Sequence, residues 1–335
     1  MRRLIVCADG TWNSPDQELE EFDLRKPSNV VKLARAIRPV DSSGTSQIVY
    51  YDTGVGTHNF VDKLVGGATG VGLSENVIAA YRFLVNNYVD DDEVYLFGFS
   101  RGAYTARSLG GLLHKIGLLP KPQEYWLPEG YDLYREDAPK QKLDRYKRLN
   151  KSRSIKVKMI GVWDTVGALG IPVGILSGIG RQKYQFHDVS LPGIVENAFH
   201  ALAVDEQRVD FAPSVWSQKN ASQVLDQQWF PGVHTNIGGG YADNGIANHA
   251  LLWMISKAVN LGLEVDDKYL SHYVPDHKGE IYQSRKSFYR LKKPYVRPIG
   301  SGLNESLHES TVSRLSDDSS YKPSNVTKFM KTGGA

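Results

Sequence analysis

The stretch that most constrains the fold is an apolar run that passes through a serine flanked by glycines into a helical pattern. Glu93–Phe97 favours a buried strand, and Gly98-Phe-Ser-Arg-Gly102 follows it directly. Small residues at Ala103, Ala106 and Gly110 then give the next segment a face that can lie close on a sheet. This is the pattern of a nucleophile elbow, in which a sharp strand-to-helix turn lifts the serine hydroxyl above the sheet. A glycine-rich turn with a chance serine is the alternative.

Two turns supply candidate oxyanion donors for a nucleophile at Ser100. The helix begins directly behind this serine, so the backbone N–H of Arg101 can face a developing oxyanion. The polar turn Asp9–Asn13 follows the first apolar strand of the chain. Because the carboxyl ends of parallel strands meet at one edge of a sheet, we expect Gly10 and Thr11 to offer a second N–H there. A turn with only local hydrogen bonds is the alternative for this segment.

An acid and a base also follow strand-like runs. Asp164 comes directly after the apolar run Ile155–Trp163, and His234 follows a short hydrophobic segment and precedes a glycine-rich loop. These are suitable types and positions for a triad acid and a mobile general base, and Ser…Asp…His is the chain order of the hydrolase elbow. Asp164 could instead cap its turn. Asp205 is the rival acid and His308 the rival base.

Length and composition predict one large α/β domain. A chain of 335 residues can bury a sizeable core. We expect an α/β-hydrolase-like domain over 1–300, with a mostly parallel central sheet flanked by helices. An inserted cap region is predicted near 120–154 and 168–195, where the composition departs from that of core strands. Residues 301–335 are predicted to be a C-terminal polar tail.

Charge and motifs exclude several function classes. A formal net charge of +3 gives no bulk electrostatic case for nucleic acid as a partner. The glycine-rich stretch 66–72 lacks the ending of a P-loop and the spacing of a dinucleotide fingerprint. The N-terminus is too short in apolar residues for a cleaved signal peptide. We therefore expect synthesis in the cytoplasm, with any export using another route.

The segment 140–153 concentrates basic residues within the predicted insertion. A solvated helix face explains such a run without further function. Alternatively, the run forms a basic surface for peripheral contact with anionic phosphate head groups of a membrane.

Four motifs in this order are similar to one family. They are Asp9–Asn13, Gly98–Ala103, Gly161–Gly167 and Phe230–Tyr241. Together they resemble the catalytic domain of type VI secretion phospholipase effectors, an α/β-hydrolase family much of which was catalogued as a domain of unknown function. The resemblance covers roughly residues 2 to 260.

The resemblance implies an α/β-hydrolase core and cleavage of phospholipid acyl esters. Carried over by motif, Ser100 is the nucleophile, Asp164 the acid and His234 the base, which agrees with the residue-based interpretation. Thr235-Asn236 stands where the family often has Ser-Asp, so a role for that second acid is absent here.

The sequence therefore predicts a serine hydrolase that cleaves carboxylic esters through an acyl-enzyme, with membrane phospholipid as the expected substrate. No metal or organic cofactor is expected. The alternatives are a soluble carboxylesterase or thioesterase acting on a small ester, and a catalytically silent binding module with a hydrolase fold. The oligomeric state and the acyl length are left open.

Overall fold

A computed structural model describes residues 1–10, 18–19, 24–53, 71–166 and 190–333 of the chain. Thr11, the glycine-rich stretch 66–72 in all but its last two residues, and most of the predicted insertion at 168–195 lie outside the described residues. The strands are β1 (Arg3–Ala8), β2 (Glu18–Leu19), β3 (Leu24–Arg25), β4 (Gln47–Asp52), β5 (Glu93–Phe99), β6 (Val157–Trp163), β7 (Val195–Ala203), β8 (Val224–Phe230) and β9 (Glu305–Leu307).

Helices separate most of these strands. The described α-helices are α1 (Asn29–Ala36), α2 (Val71–Asn87), α3 (Arg101–Ile116), α4 (Leu127–Arg135), α5 (Lys140–Leu149), α6 (His234–Gly238), α7 (Gly245–Asn260), α8 (Asp267–Leu270), α9 (Glu309–Asp317) and α10 (Ser324–Lys331). Short 3₁₀ helices occur at Lys121–Trp126, Val209–Phe211 and Ser287–Leu291. Within the described ranges, no helix combines the length and the apolar character that crossing a membrane requires.

Seven of the described strands form one sheet in the order β4-β1-β5-β6-β7-β8-β9, and every neighbouring pair is parallel. The predicted α/β fold, with a parallel central sheet flanked by helices, is confirmed. Gly98 of β5 lies beside Ala8 of β1, and Phe99 lies beside Trp163 of β6. Because these strands all end at one edge, the loops that follow them meet there.

Alternation along the central strands fills two cores, one on each face of the sheet. In β1, Leu4 and Val6 face the layer of α2 and α3, whereas Ile5 and Cys7 face the layer of α1 and α7. All four side chains are fully buried. A strand with both faces covered must be apolar throughout, which is why these strands are continuous hydrophobic runs rather than alternating ones.

The stretch 120–154, predicted as part of a cap, packs elsewhere. Helix α4 contacts α3 where Tyr134 lies against Gly111 and where Ile116 lies against Gly130, and α5 contacts α4 where Tyr146 lies against Gly130. Ser100 lies directly before the opposite end of α3, a helix of 16 residues, or about 24 Å at the usual rise. The described insertion therefore covers the far end of the α3 layer and not the elbow.

The segment 301–335 is not the loose polar tail that the sequence predicts. Strand β9 pairs with β8, and the Glu305 carboxylate accepts a hydrogen bond of 2.8 Å from the indole N–H of Trp229. On α10, Val326 is buried against Val204 and Trp229. The prediction was wrong because a strand of three residues and a helix with few apolar positions carry little periodicity. This segment extends the sheet by one strand.

We expect Val326→Ala to lower the free energy of unfolding by about 1–3 kcal/mol, since it removes buried methyl groups and leaves a cavity. Met330→Ala on the same helix is the matched control, because Met330 is half exposed, and it should change stability by about 0.5 kcal/mol or less. Urea titration of both variants measures the difference. Equal, small effects would show that α10 does not pack stably on the sheet.

Candidate active site

Ser100 sits on a strained turn between β5 and α3. Its backbone has φ 57° and ψ −119°, a conformation that residues with a side chain seldom adopt. A methyl group at Gly98 would collide with the Gly102 carbonyl, and one at Gly102 would collide with the carbonyl of Ala8 in β1. Both glycines are therefore required by the close approach of α3 to the ends of β5 and β1. The turn places Ser100 at the edge where the strands end.

Asp164 follows β6 directly and is completely buried. Its φ of 41° lies in the left-handed region, and its backbone N–H donates to the Ala201 carbonyl of β7 at 2.7 Å. The side chain turns back to the same strand, where Oδ1 accepts from the Ala203 N–H at 3.0 Å. The end of β7 thus holds both the backbone and the carboxylate of Asp164.

His234 begins α6, just after β8 ends. Its backbone N–H donates to Glu206 Oε2 at 3.2 Å, and Glu206 is held by a two-pronged pair with Arg208. The imidazole lies between the rings of Phe99 and Phe211, at centroid distances of 4.7 and 4.9 Å. These contacts fix the ring and shield it from water.

The structure brings Ser100, Asp164 and His234 together. His234 Nδ1 lies 2.6 Å from Asp164 Oδ2, and Nε2 lies 2.8 Å from Ser100 Oγ. An ionised carboxylate can only accept, so Nδ1 carries the proton and Nε2 is left as the acceptor for the serine hydroxyl. This arrangement can take a proton from Ser100 and hold the resulting imidazolium.

Burial and charge act in opposite directions on the acid and the base. Burial alone would raise the pKa of Asp164, but the guanidinium of Arg297 and the hydrogen bond from His234 hold it well below its usual range. Burial lowers the pKa of His234, and the hydrogen bond that its imidazole donates to Asp164 only partly offsets this effect. The imidazole is therefore neutral near pH 7, as a general base must be.

Arg297 is a site residue that the sequence analysis missed. It is fully buried and bonds both carboxylate oxygens of Asp164, at 2.6 and 3.0 Å. It comes from an irregular segment between Pro294 and Pro298, 133 residues beyond its partner. A single arginine in a loop carries no periodic signal, and no pattern in the sequence marks this one. Glu206 was likewise missed.

The predicted oxyanion donors differ in their positions. Arg101 is the first residue of α3, so its backbone N–H lies at the N-terminal end of that helix, directly after Ser100. Gly10 does follow β1 at the same edge, but its N–H donates to Asp9 Oδ1 at 2.6 Å. Thr11 lies outside the described residues. The second donor from this turn stays a prediction.

The two rival residues each have structural partners of their own. Asp205 accepts hydrogen bonds from the Gly232 N–H at 2.6 Å and the Tyr321 hydroxyl at 2.8 Å. His308 is the N-cap of α9, where its Nδ1 accepts from the Ser310 N–H at 3.1 Å. Its ring stacks on Phe230. The geometry thus supports Asp164 and His234 over both alternatives.

Within the part of the chain that the structure describes, no group of three or more His, Cys, Asp or Glu side chains is arranged to hold a metal ion.

Comparison with known protein families shows which family the chain belongs to. The family model "T6SS, Phospholipase effector Tle1-like, catalytic domain" matches residues 2–257. The chain belongs to this family. The resemblance drawn from the four sequence motifs is confirmed, and the match supports a hydrolase of the phospholipase type. Arg297 and β9 lie beyond the matched residues.

Relatives of this Tle1-like domain are longer proteins. The uncharacterized protein YEL023C of Saccharomyces cerevisiae is 26% identical over 261 residues, which cover 68% of this chain and 36% of the relative. An uncharacterized protein from Pseudomonas aeruginosa has a TM-score of 0.48 at 16% identity, covering 82% of this chain and 49% of the other. The Tle1 effector in a structure with the VgrG spike has a TM-score of 0.41 at 20% identity, with 72% and 52% covered. The chain spans about half or less of each.

The pH dependence of stability can test whether His308 is buried in its neutral form. Burial lowers the pKa of His308 to about 3, below the ordinary 6.5. Between about pH 4 and 5.5 the unfolded chain binds a proton that the folded chain does not, so stability falls as the pH falls. His308→Asn keeps a capping acceptor and should reduce this slope by up to about 1.4 kcal/mol per pH unit.

Urea unfolding at several pH values in this window measures the slope. His272→Asn, at an exposed position, is the matched control. Equal slopes for the two variants and the parent protein would contradict the assignment of His308 as a buried, neutral cap.

Proposed function

We propose that this Tle1-like domain is a serine hydrolase that cleaves carboxylic esters through an acyl-enzyme. The observation that carries the proposal is the continuous line of hydrogen bonds from Ser100 Oγ through His234 to Asp164, at 2.8 and 2.6 Å, with the serine on a positive-φ elbow. A serine hydroxyl is a weak nucleophile unless a base takes its proton, and this line supplies the base and its orienting acid.

In the proposed first step, His234 Nε2 accepts the hydroxyl proton while Ser100 Oγ attacks the acyl carbon. Asp164 stabilises the imidazolium that forms, and His234 then passes the proton to the leaving alcohol. Water, deprotonated by the same imidazole, releases the acid and restores the serine. The lowered pKa of the buried His234 keeps the base neutral before each step.

We place the oxyanion at the start of α3, against the backbone N–H of Arg101. The second donor is proposed to come from the turn after β1, at Gly10 or Thr11. Gly10 serves this role only after its N–H exchanges the Asp9 carboxylate for the oxyanion, because that carboxylate accepts its hydrogen bond in the structure. Losing one such donor costs roughly a hundredfold or more in rate.

Membership in the phospholipase effector family supports a phospholipid as the ester. A small soluble ester or thioester is the alternative, because the Ser100 chemistry is the same for all of them. A catalytically silent binding module is disfavoured by the geometry: a strained elbow costs stability that a binding role does not need.

The Ser100→Ala variant tests the chemistry. It should lower kcat for short-chain nitrophenyl esters by roughly 10⁴-fold or more, because the nucleophile is removed, while circular dichroism shows an unchanged fold. His234→Ala should lose activity similarly, whereas His308→Ala should retain it. A fluorophosphonate probe should label the parent protein and not Ser100→Ala. Equal turnover by Ser100→Ala and the parent would rule out the proposed nucleophile.

The membrane contact is proposed for the outer face of α5. Lys142 and Arg148 are exposed on this helix, while Leu143 and Tyr146 pack inward. Trp126 of the neighbouring 3₁₀ helix is partly exposed, and its carbonyl accepts from the Tyr146 hydroxyl at 2.8 Å. Exposed cations on one helix and an exposed indole on the helix it contacts suit an anionic lipid surface. This face lies at the far end of α3 from Ser100, so it would anchor the protein rather than hold the scissile ester.

Phospholipid vesicles can test the cleavage of phospholipid and the membrane contact separately. The parent protein should release fatty acid from phosphatidylglycerol vesicles and Ser100→Ala should not. Lys142→Glu with Arg148→Glu should weaken vesicle binding by roughly tenfold or more, at about 1 kcal/mol per cation, with turnover of soluble esters unchanged. Lys268→Glu with Lys322→Glu, two exposed cations elsewhere, is the control. Ester turnover without fatty-acid release would favour the small-ester alternative.

A further inference from the structure

Arg297 donates four hydrogen bonds around the candidate site, two of them to the carboxylate of Asp164. Nη1 donates to Asp164 Oδ1 at 2.6 Å and to the Ala203 carbonyl at 2.9 Å. Nη2 donates to Asp164 Oδ2 at 3.0 Å and to the Phe211 carbonyl at 2.6 Å. The side chain is completely buried. One guanidinium thus joins the ends of β6 and β7 to the 3₁₀ helix at Val209–Phe211.

The planar guanidinium restricts how the Asp164 carboxylate can turn. Each oxygen accepts one Nη, and each has one further partner: the Ala203 N–H for Oδ1 and His234 Nδ1 for Oδ2. Rotation about the last side-chain bond of Asp164 would break both bonds to Arg297. A two-pronged pair of this kind fixes direction as well as distance. The oxygen that accepts from His234 Nδ1 is therefore also held in place by Arg297.

Arg297 also binds the backbone of Phe211, whose ring packs against the His234 imidazole. The residue whose carbonyl it binds, Phe211, places its ring 4.9 Å from the ring of His234, at an angle of 75°. Arg208 in turn lies over the Phe211 ring at 3.5 Å. The acid and one aromatic wall of the base are thus fixed by the same side chain.

The charge that His234 experiences comes from several elements. The titratable and charged groups that act on His234 or on its acid are Asp164 after β6, Glu206 and Arg208 after β7, and Arg297 from the loop before β9. Asp164 and Arg297 also act on the buried His200 of β7. Glu206 is paired with Arg208, so Arg297 is the cation that opposes Asp164. Without it, the Asp164 carboxylate that His234 contacts would lose its paired cation.

We propose that Arg297 is a positioning residue of the Ser100 site. It holds the Asp164 carboxylate in the orientation that meets His234 Nδ1, and it offsets part of the negative charge that His234 faces. The proposal rests on the proposed function for its effect on turnover. Its effect on the imidazole is independent of turnover, since it depends only on the folded site. Removing the cation should favour the imidazolium and raise the pH at which His234 takes up a proton.

Two variants separate charge from geometry. Arg297→Met removes both the charge and the planar fork. For a nitrophenyl ester, the pH at which kcat/KM falls on the acid side should shift upward by about one pH unit or more. Arg297→Lys keeps a charge but not the planar fork. It should leave the acid limb near that of the parent and lower kcat by roughly 10- to 100-fold at unchanged KM, because the acid is misplaced. Arg3→Met is the matched control: Arg3 is a buried arginine paired with Asp41 at the opposite edge of the sheet.

Titration of the His234 imidazole by NMR, with its signal assigned by loss in His234→Gln, gives a second measurement that needs no turnover. The midpoint should be higher in Arg297→Met than in the parent and unchanged in Arg3→Met. A midpoint that is unchanged or lower in folded Arg297→Met overturns the proposal. If Arg297→Met does not fold, Arg297→Lys decides: a parental kcat overturns the proposal, and a lowered kcat at unchanged KM and unchanged thermal stability supports it.

The failure of the proposed function has a different signature. A parent protein that neither turns over esters nor reacts with a fluorophosphonate refutes the serine hydrolase. The NMR midpoints of the parent, Arg297→Met and Arg3→Met then still report whether Arg297 offsets the charge at His234.

Discussion

An ionised carboxylate with no contact to water is the constraint on which the candidate site depends. Asp164 is fully buried, and removing a lone carboxylate from water costs far more than a domain's stability can absorb. The fold meets this cost with fixed donors: a backbone N–H from β7, an imidazole N–H and a guanidinium. Three separate parts of the chain must therefore be in place before the acid can remain charged.

The parallel sheet makes this convergence possible. Strands β5, β6, β7 and β8 end at one edge, so Ser100, Asp164 and His234 meet although up to 134 residues separate them along the chain. The close approach of α3 to β1, which only glycine permits at Gly98 and Gly102, fixes the height of the serine above that edge. Geometry that looks local at the elbow is in fact set by packing across the sheet.

Sequence patterns located the strand-end residues that meet in the fold, because their signal is local, and missed residues that have no local signal. The elbow, Asp164 and His234 each follow an apolar run, so strand ends mark them. Arg297 lies in an irregular segment, and its partners become visible only once the chain has folded. β9 pairs over three residues, too few for an alternating pattern. The stretch 120–154 was recognised as an insertion, but its packing on the far end of α3 depends on a helix–helix contact that composition does not encode.

The distance along the chain between Asp164 and Arg297 has a consequence for synthesis. Ser100, Asp164 and His234 are all synthesised before the guanidinium that binds the acid. Helices α7 and α8 and the 3₁₀ helix Ser287–Leu291 lie between His234 and Arg297. Until then, the acid has no cation opposite it. A nascent chain that already contains every residue of the Ser–His–Asp line thus lacks the finished site. The complete set of bonds around Asp164 thus requires the chain to have been synthesised as far as Arg297.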